Sequence, residues 1–315
     1  MRATDTRRFR RGGGRLRSSA PVGLYVALFG GLFAGALLVP AALATDLQAQ
    51  SQEADRSILL TVLDRQGAAI RDLTAADFAV TEGGEARTVI RAALSTEPLY
   101  VVIVVDTTQP PGQVRQVLDV RDALSSFVAT LRNANPDGGV ALIVSAGSAL
   151  ATTGFTAAPD ELDRMLGQLA PAVQVESSVI EAIRNAGRML GGAPGLRRAI
   201  VSVDLDSVDP TGVTAEEAAT AVERSGAAVW AVSIRVSGRA SPRRESLLNY
   251  LTPRTGGQRE TLILSRPLED RLRRMARTLT SQYVVTYRRP ADAANAAIVP
   301  SVRRGARILM SPWIR

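Results

Sequence analysis

Apolar residues follow three different patterns along the chain. Residues 22–44 form an uncharged apolar run, whereas residues 57–95 carry short apolar stretches between turn residues. From residue 98 onward, unbroken apolar runs alternate with segments in which apolar residues recur every three or four positions. A strand that is buried on both faces is apolar throughout, so this alternation predicts a doubly wound, mostly parallel α/β sheet over residues 98–280.

The same pattern predicts where the strands and helices of this region lie. Strands are expected where apolar runs end at turn residues, at 99–105, 140–145, 149–152, 198–203, 227–234 and 261–264. Helices are expected where the apolar period is close to 3.6, at 114–131, 159–169, 178–190, 214–225, 243–255 and 268–279.

The segments on either side of the α/β region have strand character. Residues 45–97 predict a polar linker up to residue 56, a strand at 58–63, a helical turn at 73–77 and a hairpin over 78–92. The tail, residues 281–315, contains strand patterns at 283–288 and 302–311. We expect the tail to pair with the earlier strands and to form a small accessory β unit.

The N-terminus has the pattern of an export signal. Residues 1–21 carry seven Arg against one Asp and predict a cytoplasmic n-region. Residues 22–44 are long enough to span a bilayer and end in Ala42-Leu43-Ala44, a small-x-small pattern typical of signal-peptidase sites. Either cleavage there or retention as a transmembrane anchor is compatible with this segment. Both place the rest of the chain in the periplasm or outside the cell.

Composition narrows the chemistry that the exported part can perform. The sequence contains no Cys, His or Lys, so all 38 basic residues are Arg. A thiolate or imidazole metal site, a Cys nucleophile, a Ser-His-Asp triad and a Schiff base are therefore excluded. Beyond residue 44 the charges nearly balance and aromatic residues are few, which does not indicate binding of nucleic acid.

Four polar side chains are candidates for a functional site. Asp106 and Asp204 each end a predicted strand, Thr108 follows the first of them, and Ser177 precedes a predicted helix. In a doubly wound sheet the carboxyl ends of the strands meet at one edge, where ligands bind. Carboxylates and hydroxyls form an all-oxygen set suited to Mg²⁺, Mn²⁺ or Ca²⁺.

The same residues also have structural interpretations, and at this point both readings remain open. Asp106 and Asp204 are residue types that commonly begin turns after a strand. After Asp106, the sequence Pro110-Pro111-Gly112 would set the conformation of the loop. Two helix starts fit the capping-box pattern, Ser178 with Glu181 and Thr214 with Glu217.

The chain resembles the von Willebrand factor type A domains over residues 98–280. It is most similar to a bacterial exported subgroup in which flanking β segments surround such a domain. The segments that carry this resemblance are Val62-Leu63-Asp64-Arg65-Gln66-Gly67, Leu73-Thr74-Ala75-Ala76-Asp77-Phe78, Thr255-Gly256-Gly257 and Gln282-Tyr283-Val284-Val285-Thr286-Tyr287. The resemblance implies a Rossmann-like sheet. Thr255-Gly256-Gly257 is also well suited to end a helix.

The resemblance also implies a metal-ion-dependent adhesion site. The family places D-x-S-x-S after its first strand, a Thr at a later helix and an Asp after its fourth strand. Here Asp106, Thr108, Ser177 and Asp204 match those positions, but Pro110 replaces the second Ser and has no hydroxyl. The resemblance therefore implies a degraded site for Mg²⁺ or Mn²⁺, at which a partner's carboxylate would complete the coordination.

Three functions follow from these observations. The first is a non-catalytic protein-binding or adhesion module, displayed outside the cytoplasmic membrane, whose protein partner the sequence does not identify. The second is a metal-free structural or scaffold protein of the cell envelope. The third, a phosphatase-like hydrolase with Asp106 as nucleophile, is disfavoured because no second acid stands two residues on and no Lys is present. We therefore expect no enzymatic activity.

Overall fold

The computed structural model describes residues 53–109, 115–147, 149–155, 159–173, 176–236, 240–303 and 305–314. These residues belong to one compact unit, Gln50–Arg315. The predicted n-region, the predicted signal or transmembrane segment at 22–44, and Pro110 lie outside the described residues. Within the described part of the chain, no helix combines the length and apolar character needed to cross a membrane.

The described chain alternates strands and helices after an initial group of strands. The strands are β1 (Glu53–Leu63), β2 (Phe78–Glu82), β3 (Glu85–Arg87), β4 (Val89–Leu94), β5 (Leu99–Asp106), β6 (Thr108–Gln109), β7 (Gly139–Ala146), β8 (Ala149–Thr152), β9 (Ala172–Val173), β10 (Arg197–Asp204), β11 (Ala228–Ile234), β12 (Arg259–Leu262), β13 (Gln282–Pro290), β14 (Ile298–Val302) and β15 (Arg307–Ile314). The α-helices are α1 (Arg115–Ala134), α2 (Pro159–Gly167), α3 (Val179–Gly191), α4 (Ala215–Ser225), α5 (Pro242–Arg254) and α6 (Leu268–Leu279). A 3-10 turn spans Ala75–Asp77, with Thr74 as its N-cap.

The main sheet has the strand order β12-β11-β10-β5-β7-β8. All of its neighbours are parallel except β8, which runs antiparallel to β7. Val101 and Ile103 of the central strand β5 pack in one apolar cluster with α1 and α6, whereas Val102 and Val104 pack in another with α3, α4 and α5. The mixed α/β fold with a mostly parallel sheet, predicted from the unbroken apolar runs, is confirmed.

The flanking segments form two further sheets. One has the order β15-β1-β13-β4 and the other β14-β2-β3. Their shared core contains Ile58, Leu60, Tyr283 and Val285, and the Tyr283 hydroxyl accepts a hydrogen bond from the backbone N–H of Leu73 at 3.0 Å. The tail thus pairs with the strands that precede the α/β region, as predicted.

Several predicted boundaries differ from the structure. The linker was expected to reach residue 56, but β1 begins at Glu53, since residues 53–56 pair with the end of β13. The second arm of the predicted hairpin divides at Thr88, with β3 pairing to β2 and β4 pairing to β13. Strand β12 covers 259–262 instead of 261–264, which leaves Ile263 and Leu264 exposed beyond its end. The tail pattern at 302–311 is likewise divided between β14 and β15.

Candidate functional site

The carboxyl ends of β5 and β10 bring the two predicted acids together. Val105 pairs with Val203 in the parallel register, so Asp106 and Asp204, the next residues of each strand, are neighbours. Ser177 stands just ahead of α3, and its backbone N–H donates to the carbonyl of Val208 at 2.8 Å, in the loop after β10. All three side chains are fully buried.

Protein groups satisfy both carboxylate oxygens of Asp106. Its Oδ1 accepts from the backbone N–H of Thr108 at 2.8 Å. Its Oδ2 accepts from the Ser207 hydroxyl at 2.6 Å and from the backbone N–H of Leu205 at 3.4 Å. Burial raises the pKa of Asp106, and the charge of Arg244 together with the hydrogen bonds from Ser207 and Thr108 opposes that rise.

A guanidinium lies among these groups. It belongs to Arg244, in the first turn of α5, where Ser241 is the N-cap and Pro242 occupies the first helical position. The Arg244 side chain is 0% exposed. It shares the inward face of α5 with Leu247, Leu248 and Leu251, so the helix that packs on the sheet also carries the cation inward.

Arg244 contacts every element of the site. Its Nη1 donates to the hydroxyls of Ser177 at 3.1 Å and Ser207 at 2.9 Å. Its Nη2 donates to the backbone carbonyls of Leu205 at 2.8 Å and Ser207 at 3.0 Å. The ion-pair distances are 3.7 Å from Nη1 to Asp106 Oδ2 and 3.4 Å from Nε to Asp204 Oδ2. One planar cation therefore joins α5, β5, β10 and the start of α3.

A second group of charges adjoins the first through Asp204. Its Oδ1 accepts from the Ser233 hydroxyl at 2.9 Å, and its Oδ2 pairs with Arg235. Glu245 accepts from Arg235 and, at 2.6 Å, from Arg259. Burial alone would lower the pKa of Arg235, but Asp204 and Glu245 outweigh burial and raise it. Burial likewise would raise the pKa of Glu245, but Arg259 and Arg235 outweigh it and lower the pKa.

The remaining predicted ligand, Thr108, is engaged elsewhere. Its hydroxyl donates to the carbonyl of Glu176 at 3.1 Å and accepts from the backbone N–H of Gly147 at 3.1 Å. The structure thus groups Asp106, Ser177 and Asp204 around Arg244 and uses Thr108 to join neighbouring loops.

The two expected capping boxes have different outcomes. Thr214 and Glu217 form one at the start of α4. Ser178 is the N-cap of α3, but its side chain makes no capping hydrogen bond and donates instead to the carbonyl of Gly147 at 3.4 Å. Asp209 caps the start of α3 instead, because its Oδ2 accepts a hydrogen bond from the backbone N–H of Ile180 at 2.9 Å. Burial raises the pKa of Asp209, opposed by this hydrogen bond and by Arg244.

The geometry does not fit a divalent cation. Such an ion needs several oxygens directed at one point with room for it between them. The oxygens of Asp106, Ser177 and Asp204 are instead arranged around the guanidinium of Arg244. Across the part of the chain that the structure describes, no group of three or more acidic side chains is placed to hold a metal ion. We therefore assign no reaction step to a metal.

Sequence reasoning did not identify Arg244. All 38 basic residues of the chain are Arg, so the sequence gives no reason to single out one Arg in a helix. A usable signal was nevertheless present, because Arg244 precedes Leu247, Leu248 and Leu251 at spacings of three, four and seven. Those spacings place a charge on the apolar face of the helix. A charge on that face must find partners in the interior.

The sequence matches no protein-family model and no curated protein sequence. The structure is similar to that described as von Willebrand factor type A from Catenulispora acidiphila, with 13% identity, a TM-score of 0.50, and coverage of 83% of this chain and 73% of the other. It is also similar to the pilus adhesin SpaC from Lactobacillus rhamnosus GG, with 12% identity, a TM-score of 0.46, and coverage of 68% and 43%. An aerotolerance-related membrane protein from Bacteroides fragilis matches with 18% identity, a TM-score of 0.42, and coverage of 56% and 98%. From the sheet order and the first of these similarities, the chain has the von Willebrand factor type A fold.

Proposed function

We propose that this protein is an exported, non-catalytic binding module that engages a protein partner through the carboxyl edge of its main sheet. The observation that carries the proposal is the distribution of exposed apolar side chains. Five of them lie at that edge. Val208, Val236, Ile263 and Leu264 are in the segments that follow β10, β11 and β12, and Val173 is in β9, which pairs with β6 just beyond the end of β5. Exposed apolar residues that gather in one region are typical of interaction sites.

The two most exposed residues of this edge are adjacent. Ile263 is 75% exposed and Leu264 is 58% exposed. They lie beside the beginning of α1, because the hydroxyl of the next residue, Ser265, donates to the Asp119 carboxylate of that helix. Two large apolar side chains on a short, anchored loop can fill a pocket of a partner protein, and a few such well-packed residues can carry much of the binding energy at an interface.

The burial of the acids supports binding over catalysis. A nucleophilic or general-base carboxylate must reach the substrate. Asp106 is 0% exposed and both of its oxygens already accept hydrogen bonds. Asp204 is equally buried and its oxygens are engaged by Ser233 and Arg235. Because these acids are buried, a partner would contact the exposed apolar residues of the neighbouring loops and not the acids themselves.

Replacing both Ile263 and Leu264 by Glu should abolish partner binding without loss of folding, because both side chains are exposed. We would cross-link the full chain in intact cells of its own host and compare co-purified proteins by quantitative mass spectrometry. We expect one protein to be reduced at least about tenfold in the double variant, since losing central apolar contacts costs a factor of this order or more.

The matched control is Leu196→Glu. Leu196 is also an exposed large apolar residue, but it precedes β10 and so lies at the opposite, amino edge of the sheet. This variant should retain the partner. If both variants retain the same proteins at unchanged levels, the carboxyl edge is not the binding surface, and the alternative of a metal-free envelope scaffold gains support.

The proposed export is tested separately. A reporter that is active only in the periplasm, fused after Arg315, should be active, because residues 1–44 combine an Arg-rich end with a long apolar run. Replacing Arg2, Arg7, Arg8, Arg10 and Arg11 by Glu should reduce that activity. An inactive periplasmic reporter together with an active cytoplasmic one would contradict export.

A further inference from the structure

We infer that the guanidinium of Arg244 is a built-in cation that takes the place of the divalent metal at the carboxyl edge of the sheet. In that role it holds α5, α3 and the strands β5 and β10 together permanently. Cations from solution are then excluded from the site. The interior of the site is held in this way whether or not a partner binds the loops at this edge.

The hydrogen-bond geometry favours a guanidinium over a metal ion. Four N–H groups of Arg244 point to four oxygens at 2.8–3.1 Å, two from the hydroxyls of Ser177 and Ser207 and two from the carbonyls of Leu205 and Ser207. A guanidinium is planar and directs its N–H donors outward in its own plane. A Mg²⁺ ion would require oxygens at about 2.1 Å in octahedral positions.

The charges around Arg244 explain why a cation is needed at all. Asp106 and Asp204 are both fully buried and neighbouring, and two unpaired carboxylates in such a place would strongly destabilise the fold. Arg244 lies 3.7 Å from the first and 3.4 Å from the second. Arg235 adds a second positive charge at Asp204. A dication entering this group would meet two fixed positive charges at low effective dielectric.

The replacement changes how the site can be controlled. A metal ion can leave, and its loss or gain can alter the site, whereas Arg244 is covalently part of α5 and is 0% exposed. A partner's carboxylate therefore has no cation to coordinate at this edge, and partner binding should be insensitive to chelators.

The first test uses the wild-type chain with Mn²⁺ and Mg²⁺ as probes. We expect the melting temperature to change by less than about 1 °C between EDTA and about 5 mM of either ion, because an ion that does not bind the folded state cannot stabilise it. Electron paramagnetic resonance should show that added Mn²⁺ stays free in solution. Stoichiometric uptake of Mn²⁺ by the wild-type chain, lost in Asp106→Asn, would overturn the inference.

The second test removes the guanidinium. Arg244→Met keeps much of the side-chain volume but leaves Asp106 unpaired, and should lower the melting temperature by roughly 10 °C. The double variant Arg244→Met/Asp106→Asn should recover part of that loss, because it also removes the unpaired charge. If the single variant does not fold, a folded double variant supports the same conclusion. Arg274→Met is the matched control, since Arg274 is exposed on α6, and an Arg244→Met chain as stable as this control would refute the inference.

The third test asks whether the pocket accepts a metal once the guanidinium is gone. Arg244→Ala, refolded with and without about 5 mM Mn²⁺, should bind the ion and regain part of the lost melting temperature. Adding Asp106→Asn should remove that gain. If Mn²⁺ has no effect on Arg244→Ala, the pocket is an ordinary ion-paired core and Arg244 does not stand in for a metal.

Discussion

Replacing Val104 by Asp should leave the protein unfolded. Val104 is fully buried in β5, between β10 and β7, and packs in the cluster that contains Ile180, Ile183 and Val229. A carboxylate at this position would have no partner, and burying it would cost several kcal/mol or force the strand apart. The free energy of unfolding of a domain is only about 5–15 kcal/mol, so this single change can be enough to unfold the protein.

The measurement is circular dichroism and size-exclusion chromatography of the purified variant, with thermal melting where a transition remains. Val299→Asp is the matched control, because it makes the same chemical change at a residue that is 60% exposed in β14. The control should fold with a melting temperature close to that of the wild type. A folded Val104→Asp chain with an unchanged transition would mean that β5 is not the central buried strand.

Gly257→Ala should be the second most damaging change, although it adds only one methyl group. A Cβ at Gly257 would lie 1.8 Å from the carbonyl oxygen of Val229 and 2.6 Å from its carbonyl carbon. Val229 belongs to β11, and its backbone N–H donates a hydrogen bond to the hydroxyl oxygen of Thr255, just before Gly257, at 2.9 Å. Because backbone cannot rotate away as a side chain can, we expect a loss of about 5 kcal/mol.

Gly191→Ala is the matched control for this prediction. Apart from its chain neighbours and the backbone of its own helix, a Cβ at Gly191 would have no heavy atom within 4 Å. Since Ala is the better helix former, the control should equal or slightly exceed the wild type in urea unfolding. Equal midpoints for Gly257→Ala and the wild type would show that the end of α5 does not approach β11 as closely as the structure places it.

The fold could be predicted well where burial alone decides the pattern. Strand β5 is apolar at nearly every position because both of its faces are covered, and such a run has few other interpretations. The sequence predicts helix α6 at its observed bounds, because its apolar residues recur with a clear helical period. The pairing of the tail with β1 followed from shared strand character on both sides of the α/β region.

Boundaries that depend on a distant partner could not be predicted. Strand β12 ends at Leu262, opposite Ile234, where its neighbour β11 ends. Ile263 and Leu264 are more apolar than most of the strand itself, so the local sequence does not mark this end. The same holds for Thr88, where the chain leaves one sheet for another. In both cases the local sequence favours continuation and only the pairing register stops it.

The proximity of Asp106 and Asp204 could be predicted, but the cation beside them could not. The rule that strand ends meet at one edge placed Asp106 and Asp204 correctly beside each other. The cation between them comes from α5, about 140 residues after Asp106 along the chain, and no spacing rule joins the two. Ser207 could not be predicted for a similar reason. Its hydroxyl has a role only because it lies between Asp106, to which it donates, and Arg244, from which it accepts.

The position of β1 determines how the module would respond to tension. The chain ahead of Glu53 leads into a strand that is paired on both sides, with β13 along nine residues from Glu53 to Thr61 and with β15 near its far end. Antiparallel hydrogen bonds lie perpendicular to the strands. A pull along β1 from its N-terminal end therefore acts in shear on all the hydrogen bonds between β1 and β13. These hydrogen bonds must break together and cannot open one by one. If the chain is anchored ahead of Glu53, as proposed, β1 should resist being peeled from its sheet by a pull along this strand.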